Sequence, residues 1–357
     1  MIRFYLHIVT YTLIGLAFAS CATTRTDVIT MCEMNNVNNY ELRWDVQPPI
    51  DGKLKVYQFF DLEPSKFDLK NPIQEVNIAN GHTEIVENQG QRAFFVLSFN
   101  DSYREITSNR FIRVPGIDYI MDLGGYRTNS GDQVAWGKIL RSSQLSDIEP
   151  ISAQMLKQMG VKTLITMQDE RESINPMYYK IFPYVHSVPI KLNRYAQIYD
   201  RILRNECKRG DVMLYKQDLY NYLIDEKKNE YATIVKILAK PESYPVLISS
   251  IYAKEKIDFL SVMLLAFLGV EEDMIIEDYL SINPYLNLAP HAQIVKKLDP
   301  DSQEAMTLLL TANRATAEYI LARIRKEYGS VEKFFKKEWK MTDKDLSNLR
   351  SNLLYKY

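Results

Sequence analysis

The chain has 357 residues, 46% of them hydrophobic and 25% charged. That is a globular composition, which excludes a disordered or fibrous protein, and the length allows two ordinary domains. Forty-four basic against forty-five acidic side chains leave a formal net charge of −1, so there is no general attraction to nucleic acid or to an anionic surface. Three cysteines and four histidines show no C-x-x-C spacing and no His/Cys cluster, hence no zinc site, and no residue pattern calls for a cofactor.

The N-terminus starts weakly basic, with Arg3 and the free amine. Ile8 to Ala19 is then mostly apolar. The run is shorter than the ~20 residues of a membrane span and fits the core of a signal peptide. It closes on "AFASC". Small residues Ala19 and Ser20 before Cys21 resemble a bacterial lipobox, with Phe18 where leucine is usual. The resemblance implies that residues 1–20 are removed and that Cys21 is lipidated, anchoring the protein to a membrane of the bacterial cell envelope. "ATTRTD" after Cys21 has no acidic cluster, so a periplasm-facing anchor is expected; a plain signal peptide cut nearby is the alternative. Residues 21–37 are polar and read as a tether. Cys32 and Cys207 are left either to pair or to remain as two thiols.

From residue 38 to 115 the pattern is that of a small all-β sandwich. "YELRWDV" alternates, with Tyr40, Leu42, Trp44 and Val46 on one face, the period of a half-buried strand. "LKVYQFF", "QEVNIAN", "TEIVE", "RAFFVLSF" and "REITSNRFIRV" continue it, separated by turn clusters at Asn80-Gly81, Asn88-Gln89-Gly90 and Asn100-Asp101. Short strands at intervals of about ten residues suggest two packed antiparallel sheets.

After Gly116 the style changes. Ser152 to Met159 reads as a helix stopped by Gly160, Val161 to Met167 as a strand, "HSVPI" as another, and Leu214 to Leu238 as largely helical. Val246-Leu247-Ile248 is a strand that stops at Ser249-Ser250, and a long apolar helix follows a short polar loop. Strands alternating with helices predict an α/β domain over 116–357 with a mainly parallel sheet, whose strand ends carry the site. From about residue 292 the chain is helical, "SQEAMTLLLTANRATAEYILARIRKEYGS" running to Gly329. Ser330 and Thr342 are placed to cap two further helices.

Two stretches carry a resemblance. "MDLGGYRTNSGDQVAWGKILRSSQL" (121–145) and "FLGVEEDMIIEDYLSIN" (267–283) are similar to the bacterial protein tyrosine/serine phosphatases of the C-x-x-G-K-D-R type, many of which carry an N-terminal β-sandwich on a lipoprotein stem and a terminal "YGS" segment, here Tyr328-Gly329-Ser330. The resemblance implies a tyrosine-phosphatase-like α/β domain behind the sandwich. It places the phosphate loop on Ser249, Ser250, Ile251, Tyr252, Ala253, Lys254, Glu255 and Lys256, with Asp122 and Arg141 assisting.

Laid on the family pattern without a gap, the reactive positions have changed. Ser249 falls on the family histidine and Ser250 on the nucleophilic cysteine. Ala253 falls on the loop glycine, Glu255 on the aspartate, Lys256 on the phosphate-binding arginine and Asp258 on the last glycine. Lys254 matches. Met121, Thr166 and Gln168 stand where the family has arginine, aspartate and arginine.

Chemistry follows from these exchanges. A serine hydroxyl is a weak nucleophile without an adjacent base, and His186 is the one histidine to look for near the loop. Lysine gives a point charge where arginine gives a bidentate fork. Lys254 and Lys256 against Glu255 and Asp258 are formally neutral, so attraction for a phosphate dianion is weakened.

The expectation is a phosphatase-like, membrane-anchored lipoprotein with impaired catalysis, binding a phosphorylated protein or a small phosphomonoester and no nucleic acid. The alternatives are an active phosphomonoester phosphatase with an altered loop, using a base near Ser250 and a clamp from Lys254 and Arg141, and a protein whose sandwich carries the function.

Overall fold

The computed structural model describes residues 27–60, 68–86, 91–145, 148–168, 174–192, 194–250 and 254–355. The expected signal segment, Cys21, and loop residues Ile251, Tyr252 and Ala253 lie outside these. Seven strands come first: β1 (Asp27–Met34), β2 (Tyr40–Gln47), β3 (Lys53–Phe59), β4 (Gln74–Asn77), β5 (His82–Ile85), β6 (Phe94–Phe99) and β7 (Tyr103–Thr107). They form two antiparallel sheets, ordered β1-β2-β5 and β4-β3-β6-β7. Tyr40, Leu42, Trp44 and Val46 of β2 meet Leu54, Val56, Phe95, Leu97 and Phe99 in one core, as the alternation in β2 predicts.

Two boundaries differ from the sequence expectation. The segment read as a tether contains β1, paired with β2 from Asp27↔Gln47 to Met34↔Tyr40, with Val28 and Cys32 buried. The asparagines of "MNNVNN" form the hairpin turn, where Asn38 takes φ 64°, a conformation asparagine tolerates. At the other end, β8 (Phe111–Val114), read as part of the sandwich, belongs to the next sheet.

That sheet has six strands in the order β13-β12-β14-β11-β9-β8, with β9 (Ile117–Asp122), β11 (Ile139–Ser142), β12 (Thr163–Thr166), β13 (Tyr184–Ser187) and β14 (Val246–Ser249). β13, β12, β14 and β11 are parallel; β9 and β8 join antiparallel. A short ribbon pairs β10 (Gln133–Val134) with β15 (Leu354–Tyr355).

Helices α1 (Pro150–Gln158) and α2 (Tyr178–Ile181) cover one face over Leu140, Leu164 and Leu247. The other face carries Ile139, Ile165 and Ile248. It packs on α4 (Arg209–Glu226), α5 (Lys228–Leu238), α6 (Glu255–Leu268), α7 (Glu272–Leu280), α10 (Arg314–Tyr328), α11 (Val331–Lys337) and α12 (Asp343–Leu353). A separate cluster joins α3 (Tyr195–Leu203), the start of α4 and α9 (Pro300–Leu310), with α8 (Ala289–Val295) beside it. The stretch expected to run helically to Gly329 breaks before Asn313, whose side chain accepts from Thr316 N and caps α10. Ser330 and Thr342 cap as expected.

The outer face of the four-stranded sheet is also buried. Tyr57, Phe94, Val96 and Ile106 pack on Ala135, Trp136 and Tyr355. Arg92 lies 4.8 Å from the Phe94 ring and 5.9 Å from Trp136, and Arg110 lies 4.9 Å from Trp136 and 4.1 Å from Tyr126. Cations and rings therefore alternate across the joint, each contact favourable where water is excluded. Gly124 and Gly125 are required here, because a Cβ on either would strike Trp136, and Gly125 takes φ 94°. Cys32 and Cys207 sit in different cores as free thiols.

Candidate active site

β14 lies between β11 and β12, and its C-terminal end meets Ser142 of β11 and Thr166 of β12 in register. The chain then passes through Ser250 to α6. Phosphate loops are built in this place, between a parallel strand and a helix N-terminus. α6 is apolar nearly all round and buried along its length, so its first turn is fixed firmly.

Ser249, at the family histidine position, donates from Oγ to the Ser143 carbonyl at 2.8 Å, tying β14 to the end of β11. Ser250 is buried beyond it. Lys256 Nζ donates to the Met167 carbonyl at the end of β12, 2.9 Å away, and its own carbonyl accepts from Tyr231 Oη at 3.0 Å. Thr166 Oγ1 and Gln168 Oε1, where the resemblance expects aspartate and arginine, are buried and have no hydrogen-bond partner among the described residues. Met121 is part of the apolar core.

Two expected helpers have other work. Asp122 is fully buried, and its oxygens accept from Gly124 N (2.8 Å), Gly137 N (2.7 Å) and Arg92 Nη1 (2.7 Å). It fixes the Gly-Gly turn to the sandwich. Arg141, 1% exposed, pairs with Asp278: Nη2 donates to Oδ1 and to the main-chain carbonyl, each at 3.1 Å, and Nη1 lies 2.9 Å from Oδ2. Tyr126 donates to the same carboxylate at 2.8 Å. His186 is exposed on edge strand β13 and lies two strands from Ile248 in the same row, roughly 10 Å away.

Under the loop the charges alternate. Lys216 Nζ is 3.7 Å from Glu255 Oε1, and Lys254 Nζ is 3.5 Å from Glu255 Oε1 and 3.5 Å from Asp258 Oδ2. Asp258 in turn acts on Arg141, which pairs with Asp278. Lys216, Lys254 and Arg141 thus answer Glu255, Asp258 and Asp278; all but Lys254 are buried, and its side chain is 7% exposed.

Burial works against the charge of Lys254, but Glu255, Tyr279 and Asp258 outweigh it and hold the amine above its ordinary value. Burial likewise opposes the charge of Glu255, yet Lys254 and Lys216 hold its carboxyl below the usual range. Asp258 is pushed up to about 6 by burial, with Lys254 and Arg141 pulling the other way. Charges engaged with one another in this way are less available to an outside dianion than free ones, and Lys256 adds a further buried cation to the same turn.

Asp278 and Lys216 were not expected as parts of the site. Asp278 had a signal in the "EDYL" motif. Lys216 had a weaker one, a lysine on the stripe Val212, Leu219, Tyr220, Leu223 that is otherwise apolar. Its amine donates to the Thr311 carbonyl at 2.7 Å and is pushed down to about 7 by burial and by Lys254, against Glu255 and Asp258. The folded value lies below the ordinary 10.5, so the unfolded chain binds this proton more tightly. The stabilisation is full above about 10.5 and is lost as pH falls through about 7. Urea unfolding should therefore show a stability gain between those values that Lys216→Met flattens; an identical slope in the variant would refute the assignment.

Comparisons with known proteins bear on this geometry. Curated proteins give no match. Among solved structures the chain is similar to the core catalytic domain of the PP-IP phosphatase SIW14 from S. cerevisiae in complex with citrate, at 12% identity over 52% of this chain and 88% of that one, TM-score 0.27. A second structure of the Siw14 catalytic core gives 13% identity, 52% and 87% coverage and the same TM-score of 0.27. A family model described as "Tyrosine phosphatase family" matches residues 112–355. That match runs from the second residue of β8 through β15 and takes in every helix described above, and on it the chain belongs to the tyrosine phosphatase family.

Proposed function

We propose that this chain is a catalytically silent member of its family, a membrane-anchored module that binds a phosphorylated protein or a small phosphomonoester without turning it over. The observation that carries the reading is Lys256, the residue at the arginine position, held by the Met167 carbonyl inside the protein.

Cysteine phosphatases need a thiolate for in-line attack, a guanidinium fork on the equatorial oxygens and an acid for the leaving group. Here the attacking position is a hydroxyl, and His186 is too far away to serve as its base. The cation that would grip phosphorus oxygens is engaged elsewhere. What remains for an anion is the N-terminus of α6, with its N–H groups and positive dipole end, opposed by Glu255 and Asp258 in the same turn.

The expected result is no turnover of an aryl phosphate by the full chain, with a small phosphate-dependent rise in melting temperature. Robust hydrolysis abolished by Ser250→Ala would overturn the proposal. The lipid anchor rests on the "AFASC" pattern; labelling with a fatty-acid analogue should mark the wild-type chain and not Cys21→Ser, and equal labelling of both would remove that part.

A further inference from the structure

β1 is the outer strand of its sheet, and among the described residues its second edge carries no ladder. The orientation of that edge can be derived. Trp44 N donates to the Gly81 carbonyl at 2.9 Å, on the side of β5. In an antiparallel strand a residue's N–H and C=O point to the same side, so Trp44 and its partner Thr30 form a non-hydrogen-bonded pair. Thr30, and with it Val28 and Cys32, therefore direct their N–H and C=O groups away from β2. Natural proteins blunt such edges with lysine, proline or a bulge. The sequence "DVITMCEM" contains neither residue, and its register with β2 is unbroken.

The solvent face of this edge has its own chemistry. Asp27, Ile29, Met31 and Glu33 alternate on it, with Ile29 63% and Met31 48% exposed. Glu33 stands opposite Glu41, and Glu41 opposite Glu84, a row of carboxylates at spacings of about 5 Å. Arg43 answers Glu41 at 2.7 Å. Asn39 and Asn35 donate to Glu84 at 2.7 and 2.9 Å and hold it below the usual carboxylate range. Glu33, at the open end of the row, forms no ion pair among the described residues. A cation on an added strand beside Glu33 would complete the row as Arg43 does at Glu41.

We propose that β1 is a docking edge for an extended basic segment of a partner protein, which adds to the sheet as a fourth strand. The positions beside Glu33, Met31, Ile29 and Asp27 ask for basic, apolar, apolar and basic residues at every second place, a pattern that reads the same in both directions. Main-chain bonds would supply the affinity and the alternate side chains the specificity. A second copy of this chain fits worse, because pairing two β1 edges brings Asp27 and Glu33 against the same acids.

The test is fluorescence anisotropy of a labelled peptide Lys-Thr-Val-Thr-Val-Thr-Lys with the full chain. It should bind about tenfold more tightly than the same peptide with glutamate at both ends, and weaken with salt. Thr30→Pro removes an outward N–H without touching the bonds to β2 and should weaken binding about tenfold. Asp27→Lys with Glu33→Lys should reverse the preference between the two peptides, and this decides the matter if Thr30→Pro fails to fold. No binding of the basic peptide, or equal binding by a folded Thr30→Pro chain, overturns the proposal. A concentration-dependent dimer lost in Thr30→Pro, with no peptide binding, assigns the edge to a second copy and overturns it as well.

Discussion

Asp278→Ala is expected to lower stability by about 3–5 kcal/mol, the usual cost of leaving a buried partner charge uncompensated. Arg141 cannot turn to solvent, since it is 1% exposed and crosses from β11 to α7. The same substitution strips the acceptor from Tyr126. The measurement is a urea midpoint with the slope unchanged. Adding Arg141→Met should recover part of the loss, because the orphaned cation is then gone. If Asp278→Ala costs less than about 1 kcal/mol, the range of an exposed ion pair, Arg141 is held by Asp258 alone and the alternating set is not mutually supporting.

The second large effect concerns chemistry. Ser250→Cys alone should restore little hydrolysis of an aryl phosphate. A thiol at position 250 leaves Lys256 bound to the Met167 carbonyl, with no guanidinium fork for the phosphate oxygens. Ser250→Cys with Ala253→Gly and Lys256→Arg should exceed the single variant by at least about 10²-fold, the scale on which a single transition-state donor acts. Steady-state rates of the two variants decide it. Equal rates would mean that the thiol was the only element missing and that the lysine serves as well as the arginine.

Three strands of the central sheet, β12, β13 and β14, and the step from β14 toward α6 were legible in the sequence because they rest on local signals. Val246 to Ile248 is an apolar run ended by polar residues, and Gly160 marks a helix end with φ 67°. β1 was missed because its inward side mixes Val28, Thr30, Cys32 and Met34, which gives weak alternation, and because a run of asparagines suits a tether as well as a turn. The boundary at β8 was missed because "REITSNRFIRV" is one β-like stretch whose halves pair in different sheets, a choice made by tertiary contacts. Asp122 and Arg141 were placed by resemblance, which carries positions and not partners. What each side chain bonds depends on Arg92 and Asp278, 30 and 137 residues away.

The ladder of cations and rings across the joint has a practical consequence for dissecting this protein. Phe94 and Arg92 come from the sandwich, Trp136 and Tyr126 from the chain beyond it, and Tyr126 Oη is bonded to the carboxylate that holds Arg141. The sandwich is therefore not a removable module. A shortened protein beginning near residue 116 would lose the Arg92 cation from the buried Asp122 and uncover Trp136 and Tyr355. A partner lost after such a cut would report damage to the remaining half as readily as a missing binding surface. Single substitutions on outward faces, such as those at β1, divide labour between the two halves without that ambiguity.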